Sequence, residues 1–128
     1  MQEGSVVHFE VPADNVERAR KFYKDVFRWS ITPMDEMDYT MVATGPSAKD
    51  GSPKEPGYVG GGIARRGPTV AAPVITINVG DIDKALAKVG KHGGSTIQKK
   101  TPIGPMGFVA YFKDSEGNTI GLWQSTPA

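Results

Sequence analysis

The sequence predicts an α+β fold built from two copies of one strand–helix–three-strand unit, and three observations carry that reading. Two stretches each begin with a β-rich run, continue into a capped amphipathic helix and end in further strands. They superimpose at a constant offset of 66 positions, which sets His8 on Val74, Phe9 on Ile75, Val11 on Ile77, Val16 on Ile82, Ala19 on Ala85 and Ile31 on Ile97. One unit alone is too short to bury an adequate core, whereas 128 residues with 38% hydrophobic side chains suffice for one domain. A single domain over residues 1–128 is therefore expected, made of module 4–66 and module 72–125.

In the first module, residues 6–11 form a β-rich run that ends at Pro12, which cannot donate to a ladder. Asp14 or Asn15 can cap the helix that follows, and Glu17 stands three residues after Asp14 as in a capping box. Val16, Ala19, Phe22, Tyr23, Val26 and Phe27 recur at three-to-four spacing, with Glu17, Arg18, Arg20, Lys21 and Lys24 on the other side. Residues 29–32 and 39–43 read as strands separated by the turn-prone 33–38. Residues 45–57, rich in Gly, Pro, Ser and charge, read as a mobile surface loop that could gate a pocket, before a Gly-rich strand at 58–64.

Residues 65–72 read as a linker, after which the pattern restarts. Residues 74–79 form an apolar strand, Gly80 or Asp81 caps a helix, and Ile82, Ala85, Leu86 and Val89 make its apolar stripe. Gly93-Gly94 supplies the left-handed stop. Strands follow at 96–100, 108–113 and 118–124, the last two joined by the tight-turn sequence Asp114-Ser115-Glu116-Gly117.

Composition excludes several function classes. Fifteen Lys and Arg against fourteen Asp and Glu give a net charge of +1, so nothing calls for nucleic acid or an anionic membrane. The absence of cysteine removes disulfides, thiolate metal sites and a cysteine nucleophile, and suits a reducing compartment. The short polar start, residues 1–5, carries no secretory pattern and no stretch approaches a membrane span, so a cytoplasmic protein is expected.

The run His8-Phe9-Glu10-Val11-Pro12-Ala13-Asp14, with Ala19, Phe22-Tyr23 and Val26-Phe27-Arg28-Trp29, resembles the opening of glyoxalase-like proteins of the vicinal oxygen chelate superfamily. Lys113-Asp114-Ser115-Glu116-Gly117-Asn118 followed by Ile120-Gly121-Leu122-Trp123-Gln124 is similar to their closing hairpin and last strand. That superfamily embraces bleomycin-resistance proteins, dioxygenases and relatives of lactoylglutathione lyase. One departure is Arg28, where such proteins usually place a glycine. The resemblance implies a cupped eight-stranded mixed sheet, four strands per module, with helices on its outer face and a small-molecule pocket on its concave face. In the family's metalloenzymes four side chains hold one divalent ion, one each from the first and last strand of both modules. Such an ion chelates neighbouring substrate oxygens and stabilises an enolate or oxyanion. Mapped here, those positions fall on His8, Val74, Gly121 and either Gly61 or Gly62, so His8 alone keeps a donor. No metal and no other cofactor are therefore expected.

Alternation along the first strand puts His8 and Glu10 on one face and Phe9 and Val11 on the other. With Phe9 and Val11 on the helix side, His8 and Glu10 point into the implied cup, where an imidazole beside a carboxylate can move a proton or bind a ligand. Thr76 and Asn78 occupy the same face of the equivalent strand and offer neutral donors and acceptors at the cup rim. Tyr39 and Met41 alternate on the third strand as candidate lining, and Trp123 as a stacking surface, as could Trp29, though large aromatics in strands are usually core. Gly60-Gly61-Gly62 lacks the context of a phosphate loop and reads as close backbone packing. Arg65-Arg66 and Lys99-Lys100 could draw an anionic substrate, and as surface pairs read mostly as solvated. His92 is a terminal cation suited to its helix dipole.

Three functions stay open on the sequence. The first is a metal-free protein that binds a small organic molecule and, where it is an enzyme, performs isomerase or lyase chemistry α to a carbonyl through His8 or Glu10. The second is a metal-dependent lactoylglutathione-lyase-like or dioxygenase enzyme with ligands elsewhere, for instance Glu10 with His8. The third is a non-enzymatic sequestering protein of the resistance type; such members often dimerise, and open sheet edges make a homodimer plausible.

Overall fold

The computed structural model describes residues 2–48 and 53–126. The chain divides into two units, one of His8–Pro73 and one from Val74 onward that also takes the N-terminal residues up to Val7. The first unit holds most of β1 (Val6–Ala13), then α1 (Val16–Phe27), β2 (Ser30–Met34), a single 3-10 turn at Asp35–Met37, β3 (Tyr39–Ala43) and β4 (Gly61–Arg65). Its strands lie in the order β2-β3-β4-β1, with β1 parallel to β4 and the other pairs antiparallel. The second unit repeats this with β5 (Val74–Asn78), α2 (Ile82–Lys91), β6 (Ser95–Ile103), β7 (Gly107–Lys113) and β8 (Thr119–Ser125). Its order is β5-β8-β7-β6, and again the first and last strands pair in parallel. Each unit is thus a βαβββ motif with mixed pairing, and the fold is α+β.

Each helix covers one face of its own four strands. In the first unit Ala13, Val42 and Ile63 form the buried centre, packed by Val16, Ala19 and Tyr23 of α1 and by Phe9, Trp29 and Ile31. In the second, Val79, Ile82, Ala110, Phe112 and Leu122 are packed by Ala85, Leu86 and Val89 of α2. Ile63 lies opposite Val11 and Leu122 opposite Ile77, so the two residues occupy one position of the repeat. Each is withdrawn from water and contributes about 2–3 kcal/mol by burial.

Several boundaries differ from the sequence expectations, for local reasons. β1 continues through Pro12 to Ala13. The Ala13 carbonyl accepts from the Arg66 N–H, so odd-numbered residues of β1 face β4 with their polar groups and the N–H missing at Pro12 points the other way. β2 continues through Pro33 to Met34 because it is the outer strand of its unit, where that proline takes no N–H from a ladder. Asn15 rather than Asp14 caps α1, accepting from Arg18 N at 2.9 Å, while Asp14 pairs with Arg66 at 2.9 Å. The Gly-rich strand begins only at Gly61. Of the expected loop 45–57, residues 49–52 lie outside the described residues; the flanks carry a bridge between Ser47 and Pro53 and the Tyr58 hydroxyl donating to the Pro46 carbonyl.

Candidate functional site

The face turned away from α1 is fixed by what packs beneath it. Phe9 and Ala13 of β1 belong to the core, so His8 and Glu10 emerge on the opposite face. On β3, Val42 is core and the buried Thr40 hydroxyl accepts from Arg20 Nε of α1 at 2.8 Å, which turns Tyr39 and Met41 to the side of His8. On β4, Ile63 faces the helix and Gly62 does not. Cross-strand pairing then sets Thr32, Met41, Gly62 and Glu10 in one row across the four strands.

Gly62 is the gap that joins the two ends of this face. A Cβ added there would fall inside the Tyr39 ring, so that ring lies directly over the Gly62 backbone. Crossing β4 in this way, the Tyr39 hydroxyl comes to 2.9 Å from His8 Nε2, with ring centroids 6.3 Å apart and planes 23° from parallel. Gly61 performs the same service on the other face, where the Phe9 ring occupies the space of its missing side chain. The glycine run therefore serves close approach of aromatic rings.

Burial pushes the His8 imidazole down from 6.5 to about 4, so at neutral pH it is uncharged. A neutral ring offers one donor and one acceptor nitrogen, and Nε2 is already engaged with Tyr39. So low a basicity makes His8 a weak general base at pH 7 and a good hydrogen-bonding group. Glu10, on the same face two residues along, is only 6% exposed. Together these three residues place a phenol, an imidazole and a carboxylate on one strand face, a set that can bind a polarised oxygen and accept a proton.

The second unit arranges its candidates differently. Thr76 and Asn78, expected to offer donors and acceptors to a ligand at the rim, are buried. The Thr76 hydroxyl stands where a Cβ on Gly121 would come within 2.7 Å, and Asn78 is taken up by the N-terminal segment. Its side chain donates to the Gln2 carbonyl at 3.2 Å, its N–H donates to the Ser5 carbonyl and its carbonyl accepts from Gly4 N. Trp123 is half-buried, lies over Gly107 and donates through Nε1 to the Ser125 hydroxyl at 3.0 Å, leaving ring surface on the face away from α2. Trp29 stacks on Tyr23 at 4.6 Å and belongs to the core. Arg65 and Arg66 are held by Asp38 and Asp14. Two open hollows lie apart from the expected residues. One, of about 570 Å³, is lined by Asp83, Leu86, Thr96, Lys99 and Lys100; the other, of about 470 Å³, by Arg28, Ser30, Thr32, Thr44 and Ser47. The signal for the second was present in the sequence, in the unusual Arg28 and the alternation of Ser30 with Thr32.

Similarity to known proteins agrees with this architecture. The family described as bleomycin resistance protein-like N-terminal matches residues 5–45. A glyoxylase-like domain-containing protein from Didymella fabae is 30% identical over 124 residues, spanning 93% of this chain and 92% of the relative. The chain is a glyoxalase-like member of the vicinal oxygen chelate superfamily. Among solved structures, Streptomyces coelicolor methylmalonyl-CoA epimerase in complex with 2-nitronate-propionyl-CoA has a TM-score of 0.68 at 15% identity, covering 99% of this chain and 98% of that one. An NAD-dependent benzaldehyde dehydrogenase from Legionella pneumophila reaches 0.63 at 13% identity, covering 93% and 98%. At such identities the likeness is one of fold alone.

The metal site of this superfamily does not fit the residues present here. Register settles which glycine stands at the last-strand position of the first unit. Gly62 pairs with Glu10 as Gly121 pairs with Thr76, and Glu10 and Thr76 are themselves 66 positions apart. Both last-strand positions therefore lack a side chain, Val74 is an apolar residue 3% exposed, and His8 is spent on Tyr39. Among the described residues no three His, Asp or Glu side chains stand close enough to share an ion. No described helix is long and apolar enough to cross a membrane.

Proposed function

We propose that this glyoxalase-like protein binds a small organic molecule bearing a polarised oxygen on the strand face of His8, Glu10, Tyr39 and Met41, by hydrogen bonding rather than through a metal. The observation that carries this is the His8–Tyr39 couple, 2.9 Å long and laid over Gly62, His8 and Gly62 being two positions where the resemblance implies ion ligands in the family's metalloenzymes. A carbonyl oxygen is the fitting partner, because with His8 donating from Nε2–H the Tyr39 hydroxyl keeps its own hydrogen, held in place before the ligand arrives. Met41 offers apolar contact beside them.

A catalytic extension follows from the same geometry. The Glu10 carboxylate takes the proton α to the carbonyl, the C–H electron pair moves into the carbonyl, and the resulting enolate oxygen accepts from the Tyr39 hydroxyl, which His8 holds in place through Nε2–H. The low basicity of His8 assigns it the hydrogen-bonding part and Glu10 the proton. The test is a thermal-shift screen of carbonyl compounds and organic acids on wild type and on His8→Gln and Tyr39→Phe. A compound at one hundred times its Kd stabilises the fold by about 2.7 kcal/mol. The expected outcome is a stabilising compound whose effect both variants weaken, and stabilisation equal in all three proteins removes the couple from the site. Turnover lost in Glu10→Gln with binding kept supports the proton transfer; turnover kept refutes it.

A further inference from the structure

We infer that the hollow beside β2 is an oxyanion subsite in which Arg28, with the hydroxyls of Ser30 and Thr32, takes a carboxylate or phosphate of the bound molecule; this rests on the small-molecule reading above.

Arg28 is the first reason. It ends α1 with φ 59 and ψ 31, a left-handed conformation in which a side chain crowds the following carbonyl. In the second unit Gly93, at φ 95, takes the left-handed position after α2 without that strain. A cation does suit the negative end of a helix dipole, but that attraction does not explain the hydroxyls gathered around this one. Arg65 and Arg66 are each paired with an aspartate, whereas Arg28 has no ion pair among the described residues.

The lining is the second reason. The hollow, about 470 Å³, contains no acidic side chain among the described residues. Two of its hydroxyls are committed inward, Thr44 to the Val59 carbonyl at 2.8 Å and Ser47 to the Gly45 carbonyl at 3.0 Å. Ser30 and Thr32 have no such bond among the described residues, and they share the face opposite Ile31, which is packed against the core. A guanidinium fork with two hydroxyl donors and no competing carboxylate is the chemistry that recognises an oxyanion.

The third reason is register. Thr32, Met41, Gly62 and Glu10 form one row, so the hollow opens on the face that carries the His8–Tyr39 couple. Strands about 4.8 Å apart set β2 roughly 14 Å from β1. The ligand class is therefore an organic acid or phosphate ester long enough to lie over Met41, its anion at Arg28 and its carbonyl at Tyr39.

The test is a titration of the 15N-labelled full chain with inorganic phosphate and, separately, with acetate, against chloride at constant ionic strength. Saturable shifts at the Ser30 and Thr32 amides and the Arg28 Nε–H are expected, and their absence with both anions overturns the subsite. Whichever anion binds more tightly names the group it takes. Arg28→Gly should fold at least as stably, since glycine accepts the left-handed stop, and should bind about tenfold more weakly or worse. Undiminished binding in Arg28→Gly overturns the assignment, and so does equal weakening by Arg65→Gly, which signals general surface charge. His8→Gln should leave the phosphate-induced shifts at Arg28, Ser30 and Thr32 unchanged. Loss of anion binding with an intact His8–Tyr39 site thus stays distinguishable from failure of that site itself.

Discussion

The two units carry the same backbone gap and fill it in different ways. Gly62 and Gly121 stand at one position of the repeat, opposite Glu10 and Thr76 respectively. In the second unit the space over the glycine is taken by Thr76, its own pairing partner, and the face closes on itself. In the first unit the space is crossed by Tyr39 from one strand further out, which brings a phenol onto His8. Position 74, the counterpart of His8, is a buried valine with nothing to bond. A duplicated backbone therefore yields a polar couple in one half and inert packing in the other, and the deciding variable is the reach of the side chain that spans the glycine.

Truncating the shared core position should strike both halves hardest. Ile63→Ala and Leu122→Ala should each cost about 3–4 kcal/mol in urea unfolding; a loss below about 1 kcal/mol at either site would break their equivalence. Acidification should separate the halves next. His8 binds its proton more weakly folded, at about 4, than unfolded, at 6.5, so between these values the unfolded chain holds more protons. Stability should thus fall as pH drops below 6.5 and level off below 4, by about 3 kcal/mol in all. His8→Phe should flatten that stretch of the curve, and an unaltered slope in the variant would remove His8 as its source.

The glycines themselves come third. Gly62→Ala should cost about 2 kcal/mol and abolish the contact between Tyr39 and His8, whereas Gly121→Ala, meeting only a threonine hydroxyl at 2.7 Å, should cost about 1 kcal/mol. Reversed magnitudes would contradict the account of what spans each gap. The smallest effect is a gain: Arg28→Gly should stabilise by about 0.5–1 kcal/mol, because the relief of left-handed strain exceeds the lost dipole attraction. A loss in thermal unfolding would show that the arginine is structurally required there.

Much of this was legible before any coordinates. The repeat, both helices and β3 followed from apolar spacing and caps, because those patterns are local and each unit folds around its own helix. Alternation correctly placed His8 and Glu10 away from the helix, and Tyr39 with Met41. What alternation cannot express is distance across a sheet, so nothing in the sequence joined Tyr39 to His8, and Gly61 and Gly62 could not be told apart without register. Pro12 and Pro33 misled for a related reason, since a proline ends a strand only where its missing N–H faces a neighbour. The burial of Asn78 was not legible because the return of Gln2 to Ser5 over it is a contact between residues more than seventy positions apart.

The imidazole of His8 itself reports most directly on the central idea. Its ring 15N and 1H resonances, followed by NMR from pH 5 to 8 with and without one equivalent of Zn2+ or Ni2+, should show a single neutral tautomer bonded to Tyr39 and unmoved by either ion. Titration near 6.5, or stoichiometric displacement of those resonances by the metal, would contradict it.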